Sequence, residues 1–241
     1  MNKAWVLGVP LDRVTLGQAR DKLARWLQED KTRLVFTPNA EIIALAQDNP
    51  QLKQALVAAD LTVPDGVGVV WAARYLGSPV PERVPGIELL ESLMELAADQ
   101  GYSVFFLGSQ PGVAEEAAQR LKLKYTGLRL AGTHHGYFSS QEEQAIVKML
   151  QDLRPDILVV ALGAPKQELW LWRYRFVLPV KIALGVGGSL DVLAGRVKRA
   201  PLIWQRLGLE WLYRILTEPR RLKRAWQLPR FVGMVLRQKR T

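Results

Sequence analysis

Four segments of this chain combine glycine or proline with side chains able to bind charge or move protons, and each follows a short apolar run. Thr37-Pro38-Asn39-Ala40-Glu41 is the first. Asn39 suits a helix cap. Capping and ligand binding are compatible there, because a helix N-terminus also holds anions. The second, Val63-Pro64-Asp65-Gly66-Val67-Gly68, carries a carboxylate. Asp-Gly is ordinary turn chemistry, yet a carboxylate at the carboxyl end of a strand is also a candidate general base. The third, Leu107-Gly108-Ser109-Gln110-Pro111-Gly112, reads as a glycine loop between a strand and a helix. Such a loop suits a phosphate or nucleotide; a short turn that merely needs glycine is the plainer explanation. It lacks both the Walker Gly-Lys-Ser/Thr and a full G-x-G-x-x-G, so a nicotinamide dinucleotide is weakly supported. In the fourth, Leu162-Gly163-Ala164-Pro165-Lys166-Gln167-Glu168, Pro165 is placed to open a helix. Lys166 and Gln167 then fall in its first turn, where a phosphate could be held. A lysine there opposes the helix dipole, a local conflict that hints at function, although a solvated lysine also explains it.

Two weaker segments are Gly132-Thr133-His134-His135-Gly136-Tyr137 and Gly185-Val186-Gly187-Gly188-Ser189-Leu190-Asp191. The histidine pair has no companion ligands, so no metal is expected and capping or ligand hydrogen bonding is. The second segment is dense in glycine and could approach a ligand closely. Asp191 reads equally as a buried structural carboxylate.

Positioning these segments requires a scaffold of alternating strands and helices. Strands are expected at Trp5–Val9, Arg33–Thr37, Leu61–Val63, Ser103–Leu107, Leu128–Ala131, Asp156–Ala161 and Lys181–Leu184. Helices are expected at Thr15–Gln28, Ala40–Gln47, Gln51–Ala59, Gly66–Tyr75, Gly86–Asp99, Val113–Lys122, Gln141–Leu153 and Lys166–Val177. Asp156–Ala161 is apolar throughout after its first residue, as in a strand buried on both faces. The alternation predicts an α/β fold with a mainly parallel sheet flanked by helices. In such sheets ligands bind at the carboxyl ends of the strands, and all four principal segments leave those ends.

Composition divides the chain. Of 33 basic and 23 acidic residues, the last 51 positions hold 13 basic and three acidic ones, so the whole net charge of +10 resides there. The sequence texture changes near Gly195, where strand patterns stop and tryptophans and leucines mix with arginines. This predicts an α/β domain over residues 1–195 and a basic helical appendage over 196–241. Hydrophobic residues make up 49% of the chain, which excludes wholesale disorder. With no cysteine, disulfides and thiolate chemistry are excluded. No apolar run approaches the roughly 20 residues that span a bilayer. No signal peptide is read at the start, so a cytosolic location is expected. Basic residues interleaved with aromatics suit an anionic membrane surface. Nucleic acid is the rival partner, disfavoured because no known binding motif is present. A solvated basic helix pair remains the plainer alternative.

Taken in order, these segments resemble the WecG/TagA/CpsF family of bacterial glycosyltransferases. Further matching stretches are Glu82-Arg83-Val84-Pro85-Gly86, Arg199-Ala200-Pro201, Glu210-Trp211-Leu212-Tyr213-Arg214 and Glu218-Pro219-Arg220-Arg221, so the resemblance covers nearly the whole chain. It implies a Rossmann-like core and an inverting, metal-independent transferase without cofactor. The sugar moved would be of N-acetylhexosamine type, from a UDP-sugar donor to a polyprenyl-diphosphate-linked sugar at the inner membrane face. Asp65 matches the family's proposed base, and Thr37, Asn39, Arg83 and Gln167 its active-site polar residues. Arg214, Arg221 and Arg224 match tail arginines thought to meet the acceptor diphosphate. For the UDP moiety the candidates are Gly108, Ser109, Gly136, Tyr137, Gly163, Lys166, Gln167 and Gly187. Homo-oligomerisation is left open, and a non-catalytic nucleotide- or nucleic-acid-binding module is the alternative function.

Overall fold

A computed structural model describes residues 3–206, 208–217 and 226–239. Six strands form one parallel sheet: β3 (Arg33–Phe36), β4 (Leu61–Thr62), β5 (Ser103–Gly108), β6 (Arg129–His134), β7 (Ile157–Ala161) and β8 (Ile182–Gly185). Their order is β4-β3-β8-β7-β5-β6, and every neighbouring pair is parallel. This is the expected Rossmann-like core. Because all six strands run the same way, every loop at a carboxyl end opens on one edge of the sheet.

Side-chain alternation divides the core into two layers. Phe105, Leu107, Leu158 and Val160 face one side, with α2 (Ala40–Asp48), α3 (Pro50–Val57) and α8 (Lys166–Tyr174). Val104, Phe106, Ile157, Val159 and Ala161 face the other, with α1 (Leu16–Trp26), α5 (Gly86–Gln100) and α6 (Val113–Lys124). The period of two is the pleat itself. Burial of all five residues of β7 explains its uninterrupted apolar run.

Two expectations from the sequence change. Trp5–Val9 is not one strand. The chain reverses at Leu7-Gly8, both at positive φ, and pairs β1 (Lys3–Val6) with β2 (Val9–Asp12) as an antiparallel hairpin outside the main sheet. Glycine at the second turn position permits this tight reversal. The Gly185–Asp191 segment also contains a short helix, α9 (Ser189–Leu193), whose Leu190 enters the core.

The remaining helices are α4 (Val67–Tyr75), α7 (Ser140–Leu153), α10 (Leu202–Arg206), α11 (Glu210–Thr217) and α12 (Gln227–Gln238). The last of these is not a free tail. Phe231 and Val235 are buried in the same core layer as α2, and Arg230 pairs with Asp48 of that helix through both carboxylate oxygens. Among the described residues, no helix is long and apolar enough to cross a membrane.

Candidate active site

Asp65 lies just beyond β4, where its position is fixed from both sides. Its backbone N–H donates to the Pro38 carbonyl at 3.2 Å, and its Oδ2 accepts the Gly86 N–H at 3.2 Å. The Arg83 loop is stitched to the same turn, since Val84 N–H donates to Pro64 O at 2.9 Å. Gly86 has to be small: a Cβ there would sit 3.0 Å from Thr37 Oγ1. Thr37 is buried and donates to Gly185 O at 3.4 Å. Asn39 caps α2, with Oδ1 accepting the Ile42 N–H at 3.0 Å. That cap leaves the role expected from its residue type intact and sets its side chain beside Gly66, whose Cβ position is 4.0 Å from Asn39 Cβ.

Gln167 continues the chain of contacts into the next strand ends. It is almost wholly buried, with Oε1 accepting the Gly187 N–H at 2.9 Å and Nε2 donating to Glu168 Oε1 at 2.8 Å. Gly185 makes room for it, as a Cβ at that position would lie 3.2 Å from Gln167 Nε2. Thr37, Asn39, Asp65 and Gln167 therefore occupy one continuous stretch of the sheet edge, running across β4, β3 and β8.

Next to that stretch a cavity of about 660 Å³ opens over β5, β7 and β8. Ser109, Gly136, Tyr137, Gly163, Lys166 and Gly187 line it, together with Asp191 and Phe138. Gly108 and Gln167, expected beside the same ligand, are not among the cavity's lining residues. Gly108 cannot carry a side chain, since its φ is +141° and a Cβ would meet Ala161 O at 2.4 Å. Ser109 follows at φ +57°, a left-handed conformation that costs a non-glycine residue about 1–2 kcal/mol. Its hydroxyl donates to Asp191 Oδ2 at 3.2 Å. Backbone strain of this kind concentrates where a loop must present its atoms to a ligand.

Lys166 resolves the conflict seen in the sequence. It opens α8 against the dipole, but its ammonium donates to Gly136 O at 3.2 Å and stands 4.6 Å from the Phe138 ring centroid. A carbonyl and an aromatic face thus hold a cation at the cavity wall. The cavity walls so combine one lysine, one carboxylate, two aromatic rings and glycine backbone, a set suited to a phosphorylated, hydroxyl-bearing ligand. A second depression of about 650 Å³, between α7 and α8, is lined by none of the loops at the strand ends.

Arg83 is drawn toward the appendage. Its Nη1 is 2.6 Å from Glu210 Oε2 at the start of α11, and Arg199 Nε is 3.6 Å from the other oxygen of that carboxylate. Arg199 also pairs with Glu88 in the first turn of α5. Glu210 and Arg199 fell inside the stretches singled out by resemblance, but nothing in their spacing joined them to Arg83. Arg214 lies on α11. Arg221 and Arg224 lie outside the described residues.

Two further features are decided only by the fold. Asp191 was open between ligand contact and burial, and it lines the cavity. Glu168 is buried, with one carboxylate oxygen that has no hydrogen-bond partner among the described residues. A carboxyl in the first turn of a helix ordinarily reads as a solvated charge, so only burial could mark it.

A parallel α/β sheet with glycine loops and a carboxylate at its carboxyl edge is a Rossmann-like architecture with its candidate ligand site at the strand ends. The family model described as Glycosyl transferase WecG/TagA/CpsF family matches residues 4–241, and the chain belongs to that family. It is 38% identical over 215 residues to an N-acetylglucosaminyldiphosphoundecaprenol N-acetyl-beta-D-mannosaminyltransferase of Bacillus spizizenii, covering 89% of this chain and 83% of the relative. It is 35% identical over 240 residues to the protein of the same description from Staphylococcus aureus strain MRSA252, covering 99% and 94%.

Proposed function

We propose that this chain is an inverting glycosyltransferase that moves an N-acetylhexosamine-type sugar, N-acetylmannosamine being one such sugar, from a UDP donor to a polyprenyl-diphosphate-linked sugar. It works as a peripheral protein on the inner face of the cell membrane, in cell-surface polysaccharide or teichoic acid linkage-unit synthesis. One observation carries the reading. The Asp65 carboxylate, anchored by Gly86 N–H, shares one sheet edge with a glycine-walled cavity holding Lys166 and Asp191. The acceptor class is that named for the two relatives.

In this mechanism the UDP moiety fills the cavity over Ser109, Gly136, Tyr137, Gly163 and Gly187. Lys166 meets a phosphate and Asp191 a hydroxyl. The acceptor hydroxyl approaches the anomeric carbon from the face opposite the leaving group. Asp65 takes its proton as the new C–O bond forms and the bond to the β-phosphate oxygen breaks. The electron pair stays with UDP, and a single displacement inverts the anomeric centre. A base so placed contributes roughly 10²–10⁴-fold. Charge gathering on the leaving diphosphate is stabilised by cations preorganised around it. Lys166 supplies one, Arg83 stands among the active-site polar residues beside Asp65, and the tail residues Arg214, Arg221 and Arg224 serve the acceptor diphosphate. The site needs no cofactor or metal ion.

The test is incubation with a panel of UDP-N-acetylhexosamines and a short-chain prenyl-diphosphate sugar, with product configuration read by NMR. UDP release that requires both substrates, survives EDTA and yields the inverted anomer is the expected result. Failure of every UDP-sugar to release UDP overturns the donor assignment, and retention of configuration overturns the role of Asp65.

A further inference from the structure

Glu168 occupies an unusual position for an acid. It follows Gln167 in the first turn of α8, is 1% exposed, and offers one oxygen to Gln167 Nε2 at 2.8 Å while the other has no hydrogen-bond partner among the described residues. A buried carboxylate with half its acceptors unused is expensive unless it is neutral or has a task. The charged groups around it give no compensation. Lys53 of α3 is bound to Gln47, and Arg33 of β3 to Glu29 and Asp60. Strand β8 contributes no charged residue. On its own helix, Lys166 is committed to Gly136 O and Arg173 to Glu143. Glu41, in the first turn of α2, acts on it with like charge.

Among the described residues, the side chain that hydrogen-bonds the Glu168 carboxyl is the amide of Gln167. A glutamine amide presents an acceptor on one side and donors on the other, and nothing in its own shape decides which faces where. Here Nε2 faces Glu168, and this leaves Oε1 facing the Gly187 N–H at 2.9 Å. Were the amide reversed, an NH2 would confront the Gly187 N–H, donor against donor. Gly187 stands at φ +54° in the turn that closes the cavity next to Asp191.

We propose that Glu168 is a positioning residue: it fixes the orientation of the Gln167 amide, and through it the Gly187 turn that walls the nucleotide cavity. Glu168 itself touches no substrate. Its consequence for catalysis rests on the UDP-transfer reading above, but the orientation itself does not. Burial pushes the carboxyl up to about 7, so near neutral pH a large share of molecules carry it uncharged. A neutral carboxyl keeps the acceptor that Gln167 needs and removes most of the burial penalty.

The test compares Glu168→Gln, which keeps an acceptor, with Glu168→Met, which keeps the volume and loses it. Amide hydrogen exchange at Gly187, followed by NMR without ligand, reads the orientation directly. We expect Gly187 protection to stay within about threefold in Glu168→Gln and to fall at least tenfold in Glu168→Met, 1.4 kcal/mol or more. The affinity for UDP should follow the same order. Unchanged Gly187 protection in Glu168→Met, or equal loss in both variants, overturns the proposal. If Glu168→Met does not fold, loss of Gly187 protection in Glu168→Gln alone is sufficient to overturn it. Wild-type protein that protects Gly187 but binds no UDP defeats the donor reading and leaves the positioning role standing.

Discussion

Arg83 and Glu210, 127 positions apart, are joined at 2.6 Å. The pair ties the loop beside Asp65 to the first turn of α11, so the basic appendage is bonded to the carboxyl edge of the sheet. A second contact reinforces it, since the Gly208 turn packs so closely on Val67 that a Cβ at Gly208 would lie 2.2 Å from Val67 Cγ1. Val67 opens α4, two residues after Asp65.

Breaking that pair should affect the acceptor more than the donor. Both side chains are mostly buried, so removing one leaves the other poorly solvated and free to reorient. For Glu210→Ala we expect kcat/KM for the polyprenyl acceptor to fall about tenfold, about 1.4 kcal/mol. UDP affinity by calorimetry should stay within about threefold. Equal losses on both substrates would show that the contact is only structural.

Asp65→Asn keeps an oxygen able to accept the Gly86 N–H but loses its proton affinity. Transfer should fall by roughly 10²–10⁴-fold. The melting temperature should change by only a few degrees, because the anchoring hydrogen bond survives. Turnover near the wild-type level in the coupled UDP-release assay would assign the base elsewhere.

The structural role of the appendage can be separated from the membrane role proposed for it. Phe231 is buried against α2, so Phe231→Ala should lower stability by about 3–5 kcal/mol in urea unfolding. Replacing Arg220 and Arg240, tail cations outside the set assigned to the acceptor diphosphate, together by Ala should weaken sedimentation with anionic vesicles about tenfold or more, at about 1 kcal/mol per cation. Stability should hold. Vesicle binding indifferent to both arginines and to salt would refute the membrane role assigned to them.

Glu168 makes stability depend on pH with a definite sign. Its folded-state value, about 7, lies above the ordinary 4.5, so the folded protein binds the extra proton between those limits. Stability therefore falls as pH rises from 4.5 to 7 and is level beyond. The gap corresponds to about 3 kcal/mol at 1.36 kcal/mol per unit. Glu168→Gln should match wild type near pH 4.5 and exceed it increasingly toward pH 7, by denaturant unfolding at a series of pH values. A constant difference between the two proteins across that range would show that the carboxyl titrates normally.

Much of the fold was legible because it is local. Apolar runs such as Ile157–Ala161 and helix starts such as Asn39 are set by neighbours in sequence, and their alternation dictates a parallel sheet. The parallel sheet in turn sends Thr37, Asp65, Ser109 and Lys166 to one edge, so the site could be listed before it could be assembled. The Leu7-Gly8 reversal escaped because one glycine in an apolar run is a weak local signal, while its pairing is satisfied only by the facing strand.

What the sequence determined by itself was the order of strands and helices, the residue types at each strand end, and the charge of the tail. Contacts between distant segments were decided only in three dimensions. Arg83 with Glu210, Ser109 with Asp191, and α12 on α2 each join positions whose separation says nothing of their approach. The clearest case is Glu168, an acid that any sequence pattern assigns to water. The packed core around it withdraws that water, and what remains for its carboxyl is the amide of Gln167.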